Sequence, residues 1–185
     1  MKNLACLALT VLTMNLFGQS LKIDFGNLAD KNQKWILLSD NIMGGITKST
    51  LEYKENSLVL SGNISLENYG GFSSTKTQYS EFDLSLCSGL KIRYKSSNQQ
   101  YAFTLEDSRN WTLPNYKGDF PPKSGNEWNE ATLYFKDFKE YQIGEPSGRK
   151  MKQSALKNIV RMGITTTEKK AGPFSIEIDY IEFIK

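Results

Sequence analysis

Histidine is absent from this 185-residue chain. Its absence removes the usual general base near neutral pH, the Ser-His and Cys-His nucleophile pairs, and every zinc or iron site that needs an imidazole. Cysteine is nearly as scarce, with only Cys6 and Cys87, enough by count for one disulfide. Long helical patterns are missing as well: Lys152 to Lys157 has room for one turn, and nothing reaches the length of a stable amphipathic helix. Charge of one sign is nowhere concentrated. The net charge is +3 and basic residues are interspersed along the chain, which argues against a nucleic-acid partner, since that needs a basic patch. No repeat, low-complexity tract or linker divides the chain. What is present is enough apolar sequence, 39% against 23% charged, to fold as one soluble domain with a sizeable core.

Residues 1–20 have the layout of a secretory signal peptide. Met1-Lys2-Asn3 carries one positive side chain, Leu4 to Phe17 is apolar and uncharged, and Gly18-Gln19-Ser20 supplies small residues before Leu21. The apolar run falls short of the ~18 residues that a spanning helix needs. The expectation is cleavage near Leu21, export to the periplasm or medium, no stable membrane insertion afterwards, and a single domain over 21–185. Cys6 leaves with the leader. Cys87, in Leu84-Ser85-Leu86-Cys87-Ser88, then has no internal partner and serves as a small buried apolar side chain.

The dominant period of the remaining chain is two. Leu58, Leu60, Ile64 and Leu66 share one face, and Leu90-Lys91-Ile92-Arg93-Tyr94-Lys95 alternates strictly. Tyr101, Phe103 and Leu105 alternate with Ala102, Thr104 and Glu106, and Ile176, Ile178 and Tyr180 with Glu177 and Asp179. These patterns predict half-buried strands. After Tyr180 the apolar phase shifts to Ile181 and Phe183, which predicts a β-bulge at Tyr180-Ile181. Further strands fit residues 21–25, 49–53, 71–77, 131–135 and 159–165. Between them lie turn formers at Gly44-Gly45, Gly70-Gly71, Pro121-Pro122, Gly125-Asn126 and Pro146-Ser147-Gly148. Many short strands with little helix predict an all-β sandwich of the jelly-roll kind.

Several blocks carry a family resemblance. They are Trp35 followed by Ser39-Asp40 and Met43-Gly44-Gly45, then Asn68-Tyr69-Gly70-Gly71-Phe72 with the small Ser73-Ser74, then the strand Gly89 to Tyr94. Trp128, Asp137-Phe138, and Ala171-Gly172-Pro173-Phe174 running into Ile176 to Ile181 complete them. In this order, from about Phe25 to the C-terminus, they resemble the complex I intermediate-associated protein 30 family. Tyr69 stands where that family favours glycine or a small residue. The resemblance implies a galactose-binding-like jelly roll, related in shape to carbohydrate-binding modules. Its best-known member helps assemble mitochondrial respiratory complex I, so it also implies a protein partner.

Four residues are candidates for a ligand or partner site. Asp40 either receives a ligand hydroxyl or an arginine, or caps the Met43-Gly44-Gly45 turn. That turn either presents N–H groups to an anion or simply needs glycine's positive φ. Arg93 points away from the core, either paired with Glu106 on a neighbouring strand or offering its fork to hydroxyls or a carboxylate. Trp111 and Tyr116, in Asn110-Trp111-Thr112-Leu113-Pro114-Asn115-Tyr116, either stack on a ligand or fold over the sandwich edge. The strand of Arg93 is expected to neighbour the next strand, which would bring Arg93, Trp111 and Tyr116 to one surface. No spacing marks a catalytic carboxylate pair, so no catalytic residue is assigned. Asp24 and Asp179 are conceivable calcium ligands, but without an Asp-rich loop no metal and no cofactor is expected. The chain reads as a non-catalytic binding or assembly module, acting on a protein partner or, alternatively, on a glycan.

Overall fold

The computed structural model describes residues 21–27, 34–97, 99–120, 123 and 127–185. The expected leader with Cys6, and the expected turns at Pro121-Pro122 and Gly125-Asn126, lie outside the described residues. Thirteen strands are described: β1 (Lys22–Asp24), β2 (Trp35–Ser39), β3 (Lys48–Tyr53), β4 (Leu58–Ile64), β5 (Ser73–Thr77), β6 (Gly89–Ser97), β7 (Tyr101–Glu106), β8 (Asn115–Phe120), β9 (Asn129–Tyr134), β10 (Lys139–Gln142), β11 (Glu145–Lys150), β12 (Arg161–Thr166) and β13 (Gly172–Ile184). They form two antiparallel sheets. The first runs β3-β4-β13-β6-β9, with β1 also on β13; the second runs β11-β10-β8-β7-β12-β5-β2. This is the all-β jelly-roll sandwich that the period-two patterning predicts.

The alternation sorts side chains between core and surface. Leu58, Leu60, Leu90, Ile92, Tyr94, Ile176, Ile178, Ile181 and Phe183 come inward from the first sheet. Tyr101, Phe103, Leu105, Tyr116, Phe120, Met162 and Ile164 meet them from the second. Rings interlock across the gap, Tyr94 with Phe120 at 5.0 Å and Phe103 with Phe183 at 6.3 Å, both edge to face. Such pairs add about 0.5–1.5 kcal/mol each beyond burial.

β13 is the long central strand, and its register against β6 slips between Ile178 and Tyr180. The slip sits one step before the expected bulge, and it keeps both Ile178 and Ile181 in the core. β4 pairs with β13 up to Ile178, and β1 takes over the same edge from Tyr180. Among the described residues Cys87 has no disulfide partner, and it packs partly buried against the core; burial pushes its thiol pKa up. The one helical turn near Lys152 is a 3-10 turn over Gln153–Asn158.

Two features differ from the sequence reading. Pro146-Ser147-Gly148 lies within strand β11 rather than in a turn, on the sheet edge where a missing N–H is tolerated. β6 and β7 are not neighbours, because the short link after Ser97 carries the chain from the first sheet to the second.

Candidate functional site

The outward face of the second sheet lies opposite the core and is lined by polar side chains. Cross-strand register places Ile36, Lys76, Gly163, Thr104, Lys117 and Lys139 in one row across β2, β5, β12, β7, β8 and β10. Arg161 and Glu106 face each other in an adjacent row. Several of these outward residues are nevertheless buried: Ala102, Thr104, Thr165 and Ser74 all are, and Arg161 is 9% exposed.

The cause is curvature. Glu145 on edge strand β11 and Lys169 after β12 approach to 3.6 Å, although β10, β8 and β7 lie between their strands. On a flat sheet, four strand spacings would separate them by about 19 Å. Lys117 likewise feels the charges of Lys76, Lys169 and Glu145. The face is therefore a trough, with the β10–β11 hairpin as one wall and β5 with the loop after β12 as the other.

Its floor is polar and tight. A side chain at Gly163 would put its first carbon 2.6 Å from Lys76 Cγ and 2.7 Å from the Thr75 carbonyl oxygen. The Thr104 hydroxyl beside it is buried without a hydrogen-bond partner, as is Asn115 Oδ1. Lys76 pairs with Glu106 at 2.5 Å. Lys117 holds its ammonium 4.2 Å from the centre of the Tyr141 ring; burial, then the nearby Lys76 charge, lowers its pKa. Arg161 lies 4.5 Å from the centre of the Tyr79 ring and donates from Nε to the Thr77 carbonyl oxygen at 3.0 Å. Tyr79, Tyr141 and Trp111 border the end of the trough where the β7–β8 turn and the β10–β11 hairpin meet, joined by Gln142 Nε2 donating to the Thr112 carbonyl oxygen.

The four candidate residues scatter. Trp111 is 69% exposed at that rim. Its turn is set by Asn110 Oδ1, which accepts from the Thr112 N–H at 3.1 Å and the Thr112 hydroxyl at 2.9 Å. Tyr116 corrects the expectation of an exposed stacking ring: it is 4% exposed on the inner face, and its hydroxyl donates to Asp107 at 3.3 Å. Burial and the Asp107 charge push its pKa up to about 12. Arg93 belongs to the outer face of the first sheet and so shares no surface with Trp111. It pairs with Asp179 at 2.5 Å and lies against the Trp128 ring, while Glu106 pairs with Lys76 instead.

Asp40 is buried and accepts from the Thr47 N–H, the Thr47 hydroxyl, and the N–H groups of Gly71 and Phe72. The carboxylate bonds nothing in Met43-Gly44-Gly45, whose Gly45 N–H donates to the Asp40 carbonyl oxygen instead; it joins Thr47 to the Gly71-Phe72 segment. Asp24 and Asp179 are each held by a cation, Lys22 and Arg93. Among the described residues no cluster of three metal-ligating side chains occurs, and no helix is long and apolar enough to cross a membrane. The trough itself escaped the sequence reading. Its residues are strand positions with ordinary alternation, and only the curvature distinguishes them.

The architecture is that of carbohydrate-binding β-sandwich modules. Residues 23–178 match the family of complex I intermediate-associated protein 30, and the chain belongs to that family. Among solved structures it is similar to the family 11 carbohydrate-binding module of cellulosomal cellulase Lic26A-Cel5E of Clostridium thermocellum. That match has 18% identity and a TM-score of 0.62, covering 90% of this chain and 94% of that one. The family 11 module from the same organism, in complex with a β-1,3-1,4-mixed-linked tetrasaccharide, gives 20% identity and a TM-score of 0.57 over 81% and 88% of the two chains. An agarase, AgWH50C, matches over 83% of this chain and 23% of its own, at 8% identity and a TM-score of 0.53. A comparison with curated protein sequences finds no match.

Proposed function

We propose that this chain is a non-catalytic glycan-binding module of the exported compartment, holding a sugar chain in the trough of the second sheet. The observation that carries the reading is the trough itself: a curved polar face, partly buried with no further strand layer over it among the described residues, bordered by Tyr79, Tyr141 and Trp111. Rings of this kind stack on the apolar faces of sugars, and buried polar groups beside them set orientation. A structural relative solved with a bound tetrasaccharide supports the reading, as does the layout of residues 1–20, which is that of an export leader.

A glycan array, followed by titration of the retained ligand, tests it. Trp111→Ala and Tyr141→Ala are each expected to weaken binding by about 2 kcal/mol, the threshold for a hot spot, with little change in melting temperature for the exposed Trp111. Unchanged affinity in both variants would remove the trough from consideration.

A second reading, a protein-assembly surface, is favoured by one observation. Ile42, Met43, Leu66 and Tyr69 are all exposed on the two loops that Asp40 joins. Tyr69 and Asn68 hold positive φ angles of 60° and 54°, an uncommon state for side-chain-bearing residues. Retention of a protein from envelope extract that Tyr69→Ser abolishes, with no glycan bound, would decide for this reading.

A further inference from the structure

The trough holds an unusual balance of charge. Three of its cations have carboxylate neighbours: Lys76 with Glu106, Lys139 with Asp119 at 3.9 Å, and Lys169 with Glu145. Lys117 and Arg161 have none within ion-pair distance among the described residues. Each instead lies on a tyrosine ring, Tyr141 and Tyr79. Arg161 is nine-tenths buried, and its terminal nitrogens donate to nothing among the described residues. Removing a cation from water without a counter-charge is costly, and a ring face returns only part of that cost. A neutral sugar would add hydrogen bonds here but no counter-charge at ion-pair distance from either cation.

We infer that the sugar chain this trough takes is an anionic one, its carboxylates or sulfates seated against Lys117 and Arg161 while its rings lie on Tyr141 and Tyr79. The inference rests on the glycan reading above and names the class of glycan. Lys117 and Arg161 sit on β8 and β12, with β7 between them. They are two strand spacings and two residues of register apart, about 12 Å on a flat sheet and less on a curved one, so charged groups along one chain reach both. Burial and then the Lys76 charge lower the Lys117 pKa, and the Asp119 and Glu145 carboxylates offset only part of this. A guanidinium offers a carboxylate or sulfate its paired N–H donors.

The test uses two pairs of polysaccharides that differ in charge on related backbones: polygalacturonate against its methyl-esterified form, and carrageenan against agarose. Binding of the purified mature protein is followed by titration at low and high sodium chloride. The expected result is binding to the charged member of at least one pair, with about tenfold or greater weakening on the neutral member and further weakening in high salt. The pair that responds tells uronate from sulfate. Lys117→Met should weaken charged-ligand binding about tenfold with no fall in melting temperature, with the exposed Lys157→Met as control. Equal binding of both members of each pair, without salt dependence, would overturn the anionic inference and leave glycan binding standing. Binding to none of the four, together with an empty glycan array, would end the glycan reading itself.

Discussion

At the scale of single residues, Asp40 shows how a signature block works physically. Its carboxylate accepts four hydrogen bonds, from Thr47 twice and from Gly71 and Phe72. It thereby ties Thr47, two residues past the Met43-Gly44-Gly45 turn, to the Gly71-Phe72 segment. Gly45 has to be glycine, because a first side-chain carbon there would lie 2.5 Å from the Asp40 carboxyl. Burial pulls the Asp40 pKa upward, but the donors from Thr47, Gly71 and Phe72 outweigh it and hold the value below the ordinary one. A depressed carboxyl pKa contributes stability that is present above the unfolded value and lost as pH falls through the folded one. Asp40→Ala is therefore expected to cost about 2–3 kcal/mol near neutral pH, the penalty for orphaning buried donors to a charge. Urea denaturation should show the gap between wild type and variant shrinking below pH ~4. A gap that stays constant with pH would mean that the carboxylate charge plays no part.

At the scale of elements, alternation located most strands because it is a local consequence of burying one face. β4, β6, β7 and β13 were legible, and so was the bulge in β13. β8 was not: Asn115 and Pro114 read as a loop, and the inward positions Tyr116, Gly118 and Phe120 show only two apolar side chains. Reading Tyr116 as a surface ring followed from that error. The placement of Arg93 failed for a different reason. Short links usually join neighbouring strands, but in a sandwich the same short link can cross between layers, and nothing in the residues after Ser97 marks which occurs. The trough was illegible because it is made by sheet curvature, a collective property of seven strands. Its tightest point gives a test. Gly163 is wedged between Lys76 and the Thr75 carbonyl oxygen on β5, and backbone cannot move aside as a flexible side chain can. Gly163→Val should destabilise by about 1–3 kcal/mol through overpacking. Amide exchange should quicken first along the β12–β5 ladder. A neutral effect on stability would mean that the sheet is less tightly curved than described.

At the scale of the whole molecule, the missing histidine returns as a statement about pH. Asp24, Asp40, Glu130 and Glu140 all have lowered pKa values: Asp24 through Lys22, Glu130 through the Tyr180 hydroxyl, and Asp40 and Glu140 through hydrogen bonds that outweigh burial. Their contributions are complete above the ordinary carboxylate range and fade as pH falls below it. At the other end, burial raises Tyr116 to about 12, and the Glu130 hydrogen bond raises Tyr180 to about 12. A raised tyrosine pKa stabilises below the unfolded value near ~10 and fades as pH climbs through the folded one. Lys117 acts with the opposite sign, because its lowered pKa makes folding easier as it loses its proton; it offsets part of the alkaline loss. Between these limits no side chain titrates with an unperturbed pKa near neutrality. The melting temperature of the protein should thus be flat from about pH 5 to about pH 8 and fall on either side. Scanning calorimetry across that range checks it. A step of several degrees centred near pH 6–7 would mean that a carboxylate or Lys117 is far more perturbed than its surroundings allow.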